Sequence, residues 1–202
     1  MKQQLFVNRI QLKKENINKK IYPFNIKALE DFDYIEINNP VTFFYGENGV
    51  GKSTLIEAIA ISMGLNPEGG NINMHFSTYD DYSNLYEHLL IGKFGVPKNK
   101  FFLRAESFYN MASSIHNDYN SYNGKGEIDW RYGGNLHECS HGESFLKIIE
   151  NQFFDKGFYI LDEPEAALSP LRQMTLLYHI HDLAKKRLSV NNCNTFANII
   201  VL

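Results

Sequence analysis

Cysteine is scarce in this chain: Cys139 and Cys193 are the only two among 202 residues. That excludes a disulfide framework and points to a reducing, cytoplasmic setting. No stretch approaches the roughly 20 apolar residues that span a bilayer. Membrane insertion is therefore not expected, although a soluble subunit of a membrane assembly is compatible with the sequence. The first residues, Met1-Lys2-Gln3-Gln4-Leu5, lack the apolar core of a signal peptide. Charge is nearly balanced, 20 Lys and Arg against 23 Asp and Glu, which argues against a strongly basic nucleic-acid surface but not against a local patch. Internal repeats and heptads are absent. What is left is an ordinary globular composition, 44% hydrophobic, at a length that suits one domain over 1–202.

Against that plain background one run stands out: Gly46-Glu47-Asn48-Gly49-Val50-Gly51-Lys52-Ser53-Thr54. It fits G-x-x-x-x-G-K-[ST], the P-loop (Walker A). Backbone N–H groups of such a loop wrap a phosphate chain, Lys52 reaches the β- and γ-phosphates, and the Ser53 hydroxyl holds Mg²⁺. A Gly-rich turn before a helix is the plain alternative. The context favours the P-loop. Val41 to Tyr45 is β-branched and aromatic, good strand material, and leads straight into Gly46. After Lys52 the spacing of Leu55, Ala58, Ile59 and Met63 predicts a helix, with Gly64 as its stop. A helix N-terminus adds partial positive charge and free N–H groups for the phosphates.

Elsewhere the pattern predicts strands over Leu5 to Leu12, Tyr34 to Ile37 and Phe101 to Leu103, and short helices over Asp80 to Leu90 and Glu106 to Ser113. Residues 117–135 are polar, without a clear period, and read as a flexible surface insertion. Phe145, Ile148, Ile149 and Phe153 mark a helix, and Leu171 to Lys186 another. Phe158-Tyr159-Ile160-Leu161 is a buried strand that runs into Asp162 and Glu163, the Walker B pattern. Asp162 at the strand tip is placed to hold Mg²⁺, and Glu163 to polarise the attacking water as general base.

The continuation, Pro164-Glu165-Ala166-Ala167-Leu168-Ser169-Pro170, closely resembles the Walker B and D-loop of ABC-type ATPases, in the branch that includes SMC and RecF-like proteins. Upstream, Ser140-His141-Gly142-Glu143-Ser144 stands where that family has its L-S-G-G-Q signature. Ser140 and Gly142 match, while His141 and Glu143 depart from the pattern. Locally the same segment is equally good as a helix N-cap with an acid three residues on. The chain is most similar to small stand-alone AAA-family P-loop ATPases of this branch, from Pro23 to Leu183, through Phe102-Leu103-Arg104-Ala105-Glu106-Ser107-Phe108. The resemblance implies an α/β fold: an ABC-type head with a mostly parallel sheet and an antiparallel N-terminal sheet edge. It also implies ATP and Mg²⁺ as ligands and a nucleotide-sandwich homodimer. In that dimer Ser140 and Gly142 would cap the partner's ATP, with Ser169 in the linking D-loop. Nucleic acid or a partner protein enters by family analogy alone. About ninety residues separate Lys52 from Ser140, too few for the coiled-coil arm of SMC proteins. No Gln stands at the Q-loop position, where Glu106 is the candidate substitute for metal contact.

A switch His is also missing. The family form resembles I-I-A-T-H-S-P after a further strand, whereas this chain loses its periodicity at Arg187. Codons can be chosen for Asn191 to Leu202 that, read one base later, spell I-I-A-T-H-S-P-I-L-L-F. The expectation is that 187–202 is an aberrant tail from a one-base slip near Lys186, by allele or by sequencing. A divergent C-terminus is the alternative. The parallel sheet would then lack a strand, and ATP binding would survive without hydrolysis. That makes a non-catalytic nucleotide-binding protein the main rival reading. A P-loop kinase is opposed by the signature and D-loop segments. A GTPase is opposed by Asn99-Lys100-Phe101-Phe102, which lacks the Asp of N-K-x-D. His137-x-Cys139-x-His141 has poor spacing for a single metal ion.

Overall fold

The computed structural model describes residues 4–72, 74, 82–121, 131–154, 156–185, 195–196 and 198–202. Its central sheet has five strands in the order β4 (Val41–Phe43), β10 (Asn198–Val201), β8 (Gly157–Asp162), β7 (Asn99–Arg104), β5 (Gly70–Asn71). The first four run parallel and β5 is antiparallel to β7. A second, antiparallel sheet pairs β2 (Val7–Leu12) with β3 (Tyr34–Glu36) on one side and β6 (Leu89–Lys93) on the other. The two-residue strands β1 (Gln4–Leu5) and β9 (Thr195–Phe196) pair in parallel.

The central strands read as continuous apolar runs because both of their faces are covered. Phe101, Leu103, Tyr159, Leu161, Ile199 and Val201 face one core, shared with α3 (Phe108–Ser121), α4 (His141–Gln152) and α6 (Pro170–Lys185). Phe102, Phe158, Ile160 and Ile200 face the other, shared with α2 (Lys52–Ser62) and the antiparallel sheet. Phe158 to Leu161 are each fully buried, worth about 1.5–3 kcal/mol per large side chain. The P-loop helix α2 packs against both β6 and β8, so it is apolar on more than one side. It ends in a Schellman turn: Gly64 has φ +76, its N–H bonds to Ile61 O, and the Leu65 N–H reaches Ala60 O.

Three expectations need correction. Residues 84–88 form a 3-10 turn followed by β6, where a helix over Asp80 to Leu90 was expected; Asp80 and Asp81 lie outside the described residues. Pairing with β2 overrides the local helical spacing there. Helix α3 runs on to Ser121 and so takes in the first residues of the 117–135 segment, of which 122–130 lie outside the described residues. Of the 187–202 tail, residues 187–194 and 197 lie outside the described residues. The rest does not leave the sheet short of a strand. Asn198–Val201 lies between β4 and β8, with Val201 in register with Phe43 and Leu161. The apolar Ile199-Ile200-Val201 run supplies what a two-sided buried strand requires.

Candidate functional site

Two loops leave the central sheet at the C-terminal ends of the parallel strands β4 and β8, which flank β10, at the sheet end where open α/β folds hold their ligands. Beyond β4 the chain enters Gly46–Thr54. Gly49 and Gly51 have φ +79 and +98, a conformation that side chains disfavour. A Cβ at Gly51 would also overlap Ile26 Cδ1. Ile26 caps the short helix α1 (Lys27–Glu30), which is tied to the loop by the Ala28 N–H to Val50 O bond, 2.9 Å. Lys52, at the N-terminus of α2, donates to the carbonyl oxygens of Gly46 and Glu47, both at 2.9 Å. Thr54 Oγ1 lies 3.4 Å from the Tyr22 hydroxyl. Gly46, Glu47, Asn48 and Gly49 are exposed, while Val50, Lys52 and Ser53 are half-buried.

β8 ends on Asp162, only 3% exposed. Strand register sets Arg104 of β7 opposite it. Arg104 Nε forms an ion pair with Asp162 Oδ2 at 3.1 Å, Nη1 donates to Glu57 Oε2 of α2 at 3.0 Å, and Glu106 Oε2 is 3.7 Å from Nη2. Asp162 Oδ1 is buried and has no hydrogen-bond partner among the described residues. Burial pushes the Asp162 carboxyl up to about 6; Arg104 opposes this, and the negative charges of Glu163, Glu106 and Glu57 add to it. Glu163 follows in the left-handed region, φ 48 and ψ 47, exposed, with Pro164 opening the short helix α5 (Pro164–Ala167). For a residue with a Cβ that conformation costs about 1–2 kcal/mol. It turns the chain sharply at the strand tip and leaves the Glu163 side chain in solvent.

The third segment packs against α5, the short helix that follows Glu163. Ser140 caps α4 in a capping box: its N–H and hydroxyl bond to Glu143 Oε2 at 2.9 and 2.6 Å. Those bonds hold the Glu143 carboxyl below its ordinary range. Arg172, on the first turn of α6 just past the exposed Ser169, pairs with Glu143 Oε1 at 3.3 Å. Gly142 is buried beneath it, and a Cβ there would meet Arg172 Nη1 and Ala167 O. Among the described residues no hydrogen bond or ion pair joins 140–144 to 46–54. His137 and His141 face different rings, Tyr109 and His116 for the first and Phe108 for the second. No group of three or more His, Cys, Asp or Glu residues suited to a metal occurs among the described residues.

Residue types alone do not single out Glu57, Arg104 and Arg172. The available signals were an acid on an otherwise apolar helix and a cation ending an apolar strand.

A family model described as "AAA domain" matches residues 20–131, more than half of the chain, and the chain belongs to that family. Neither the curated proteins nor the solved structures gave a match. The matched span contains the P-loop, α2 and β7. No helix among the described residues is long and apolar enough to cross a membrane.

Proposed function

We propose that this member of the AAA domain family binds ATP with Mg²⁺ and hydrolyses it to ADP and phosphate. Family membership supports nucleotide binding and ATPase activity in general. The observation that carries the finer reading is Asp162: a buried carboxylate with an unpartnered oxygen, one residue before an exposed Glu, on a strand that a single strand, β10, separates from the P-loop strand.

Hard oxygen ligands suit Mg²⁺, and the Ser53 hydroxyl and Asp162 Oδ1 would supply two of them. When bound, Mg²⁺ neutralises charge on the β- and γ-phosphate oxygens. Lys52 exchanges its two carbonyl partners for phosphate oxygens, and the N–H groups from Gly49 to Thr54 close around the chain. Glu163 accepts a proton from water as the water oxygen bonds to the γ-phosphorus and the bond to the bridging oxygen breaks. Ser140 and Gly142 act across a homodimer on the partner's nucleotide, with Ser169 linking the two sites. Support comes from the exposed Ser140 at the start of α4 and from the Arg172 tie between Glu143 and the D-loop helix; Gly142 itself is buried. Glu106 is a further candidate near the metal through its approach to Arg104. The two-cysteine composition supports a cytoplasmic location, and a nucleic-acid or protein partner rests on family analogy.

The second reading, nucleotide binding without turnover, takes its support from the loss of the family pattern after Lys186, where residues 187–202 contain no I-I-A-T-H-S-P segment. Phosphate release measured beside nucleotide binding decides between them. Turnover that requires Mg²⁺ supports hydrolysis, and tight binding with no phosphate release supports the second. Restoring the alternative frame after Lys186 and measuring the gain in turnover tests the tail itself.

A further inference from the structure

We propose that Arg104 is the positioning residue of the divalent-cation site: it holds Asp162 by one carboxylate oxygen, anchors itself to Glu57 on the P-loop helix, and presents the other oxygen to the cation of a bound nucleotide. The proposal rests on the Mg²⁺–ATP reading and adds to it a residue outside the P-loop and Walker B motifs.

The geometry is unlike that of an ordinary structural pair. A guanidinium that only neutralises a carboxylate commonly does so with two parallel N–H bonds. Here a single nitrogen, Nε, faces a single carboxylate oxygen, Oδ2, as an ion pair at 3.1 Å. Nη1 is turned to Glu57 at 3.0 Å, with the Pro67 carbonyl oxygen at 3.4 Å. Asp162 Oδ1 is thereby left buried and unpartnered among the described residues, a costly condition that a ligand would relieve. Arg104 and Glu57 are themselves largely buried, at 18% and 17% side-chain exposure, so the link is held rather than solvated. Register fixes its base, because Arg104 lies opposite Asp162 on adjacent parallel strands and the Ala105 N–H bonds to Asp162 O at 3.1 Å.

Charge points the same way. One guanidinium faces three carboxylates, those of Glu57, Glu106 and Asp162. The surplus negative charge suits a divalent cation beside Asp162. Glu57 rides on the helix that begins with Lys52 and Ser53, so the same link ties the strand-tip carboxylate to the P-loop. Arg104 touches neither reacting atoms nor phosphate in this scheme; it acts through Asp162.

The test separates metal coupling from nucleotide binding. A fluorescent non-hydrolysable ATP analogue is titrated into the full chain in EDTA and again at saturating Mg²⁺. The ratio of the two affinities measures the coupling. For Arg104→Met the affinity in EDTA should stay within about twofold, because the P-loop is intact, while the ratio falls about tenfold, the scale of losing an outer-shell partner of a metal ligand. Arg104→Lys should recover part of that ratio. Glu57→Gln keeps the guanidinium and loosens its anchor, so the ratio should fall about threefold, the scale of weakening one hydrogen bond. An unchanged ratio in Arg104→Met, or an equal loss with and without metal, overturns the proposal. Should Arg104→Met not fold, Glu57→Gln decides: a lowered ratio supports it and an unchanged one overturns it. A native chain with no Mg²⁺ dependence at all overturns the Mg²⁺–ATP reading first, and this inference with it.

Discussion

Lys52 Nζ lies 2.9 Å from the Gly46 carbonyl oxygen and at the same distance from that of Glu47, so the lysine closes its own loop across the space a phosphate would take. Exposed hydrogen bonds of this kind contribute at most about 1 kcal/mol to stability. Lys52→Ala should therefore leave thermal unfolding nearly unchanged while lowering ATP affinity by about a hundredfold, the loss of a charge-assisted phosphate contact. Paired melting curves and nucleotide titrations check this. A variant that binds ATP as the native chain does removes Lys52 from the site.

Gly51 answers to two constraints at once. Its φ of +98 disfavours any side chain, and Ile26 Cδ1 occupies the place of a Cβ. Gly51→Ala should cost about 1–3 kcal/mol through the left-handed backbone and the overpacking together. Adding Ile26→Ala relieves the overlap but not the backbone cost. Denaturant unfolding of the single and double variants should thus show partial rescue against Ile26→Ala alone. No rescue would mean that the loop does not rest on Ile26.

Asp162 gives the chain a pH dependence of definite sign. Its native carboxyl titrates at about 6, against an ordinary value of 3.8. The native state therefore holds the proton more tightly than the unfolded chain does. The contribution to stability is full below the unfolded value and is lost as pH rises through about 6. Between pH 5 and pH 7.5 the native chain should lose about 1–1.5 kcal/mol relative to Asp162→Asn, measured by urea unfolding in EDTA. Mg²⁺ with nucleotide should return stability at pH 7.5, where the carboxylate is ionised, and less of it at pH 5. A flat difference between the two proteins across this range would contradict the buried carboxyl.

Ile200 is fully buried in β10, between the P-loop strand and the Walker B strand. Ile200→Asn removes apolar burial and introduces an amide without a matched partner, together about 3–5 kcal/mol. That approaches the whole stability of many domains. The variant should unfold or collect in the insoluble fraction, whereas Ile200→Val should cost about 1 kcal/mol. A soluble, cooperatively folding Ile200→Asn protein would show that 198–201 is not a central strand.

That strand also marks the limit of reading from sequence. Val41 to Tyr45, Gly46 to Thr54 and Phe158 to Glu163 were legible because each carries its signal locally: an apolar run, glycines at fixed spacing, acids at a strand tip. For Asn198–Val201 the run Ile199-Ile200-Val201 says "buried strand" but not which neighbours it joins, and partners near 42 and 160 are far away in sequence. Leu89–Lys93 was hidden for the same reason, since its strand state depends on pairing with β2. The cluster around Arg104 was illegible because Glu57, Arg104 and Asp162 lie on three elements and meet only once β7 and β8 are in register and α2 packs on them. A local pattern names candidate groups; the ion pairs among them exist only in the fold.

Glu163 follows β8 in a conformation that its own side chain disfavours, φ 48, with Pro164 fixing the next residue as the first of a helix. Asp162 just before it is buried and Glu163 is exposed, so the two acids have different environments and suit different tasks. Glu163→Gln preserves size and backbone but cannot accept the proton of the attacking water. Turnover should fall by about 10²–10⁴-fold, the range for a general base. ATP affinity should hold or rise, because binding engages Lys52 and the loop rather than Glu163. If the nucleotide lies between two copies, blocked hydrolysis leaves ATP in place, and the fraction of dimer at saturating Mg²⁺–ATP should increase in light scattering after size exclusion. Turnover equal to that of the native chain would end the general-base assignment, whatever the dimer fraction. Lost turnover without added dimer would keep the base and remove the nucleotide sandwich.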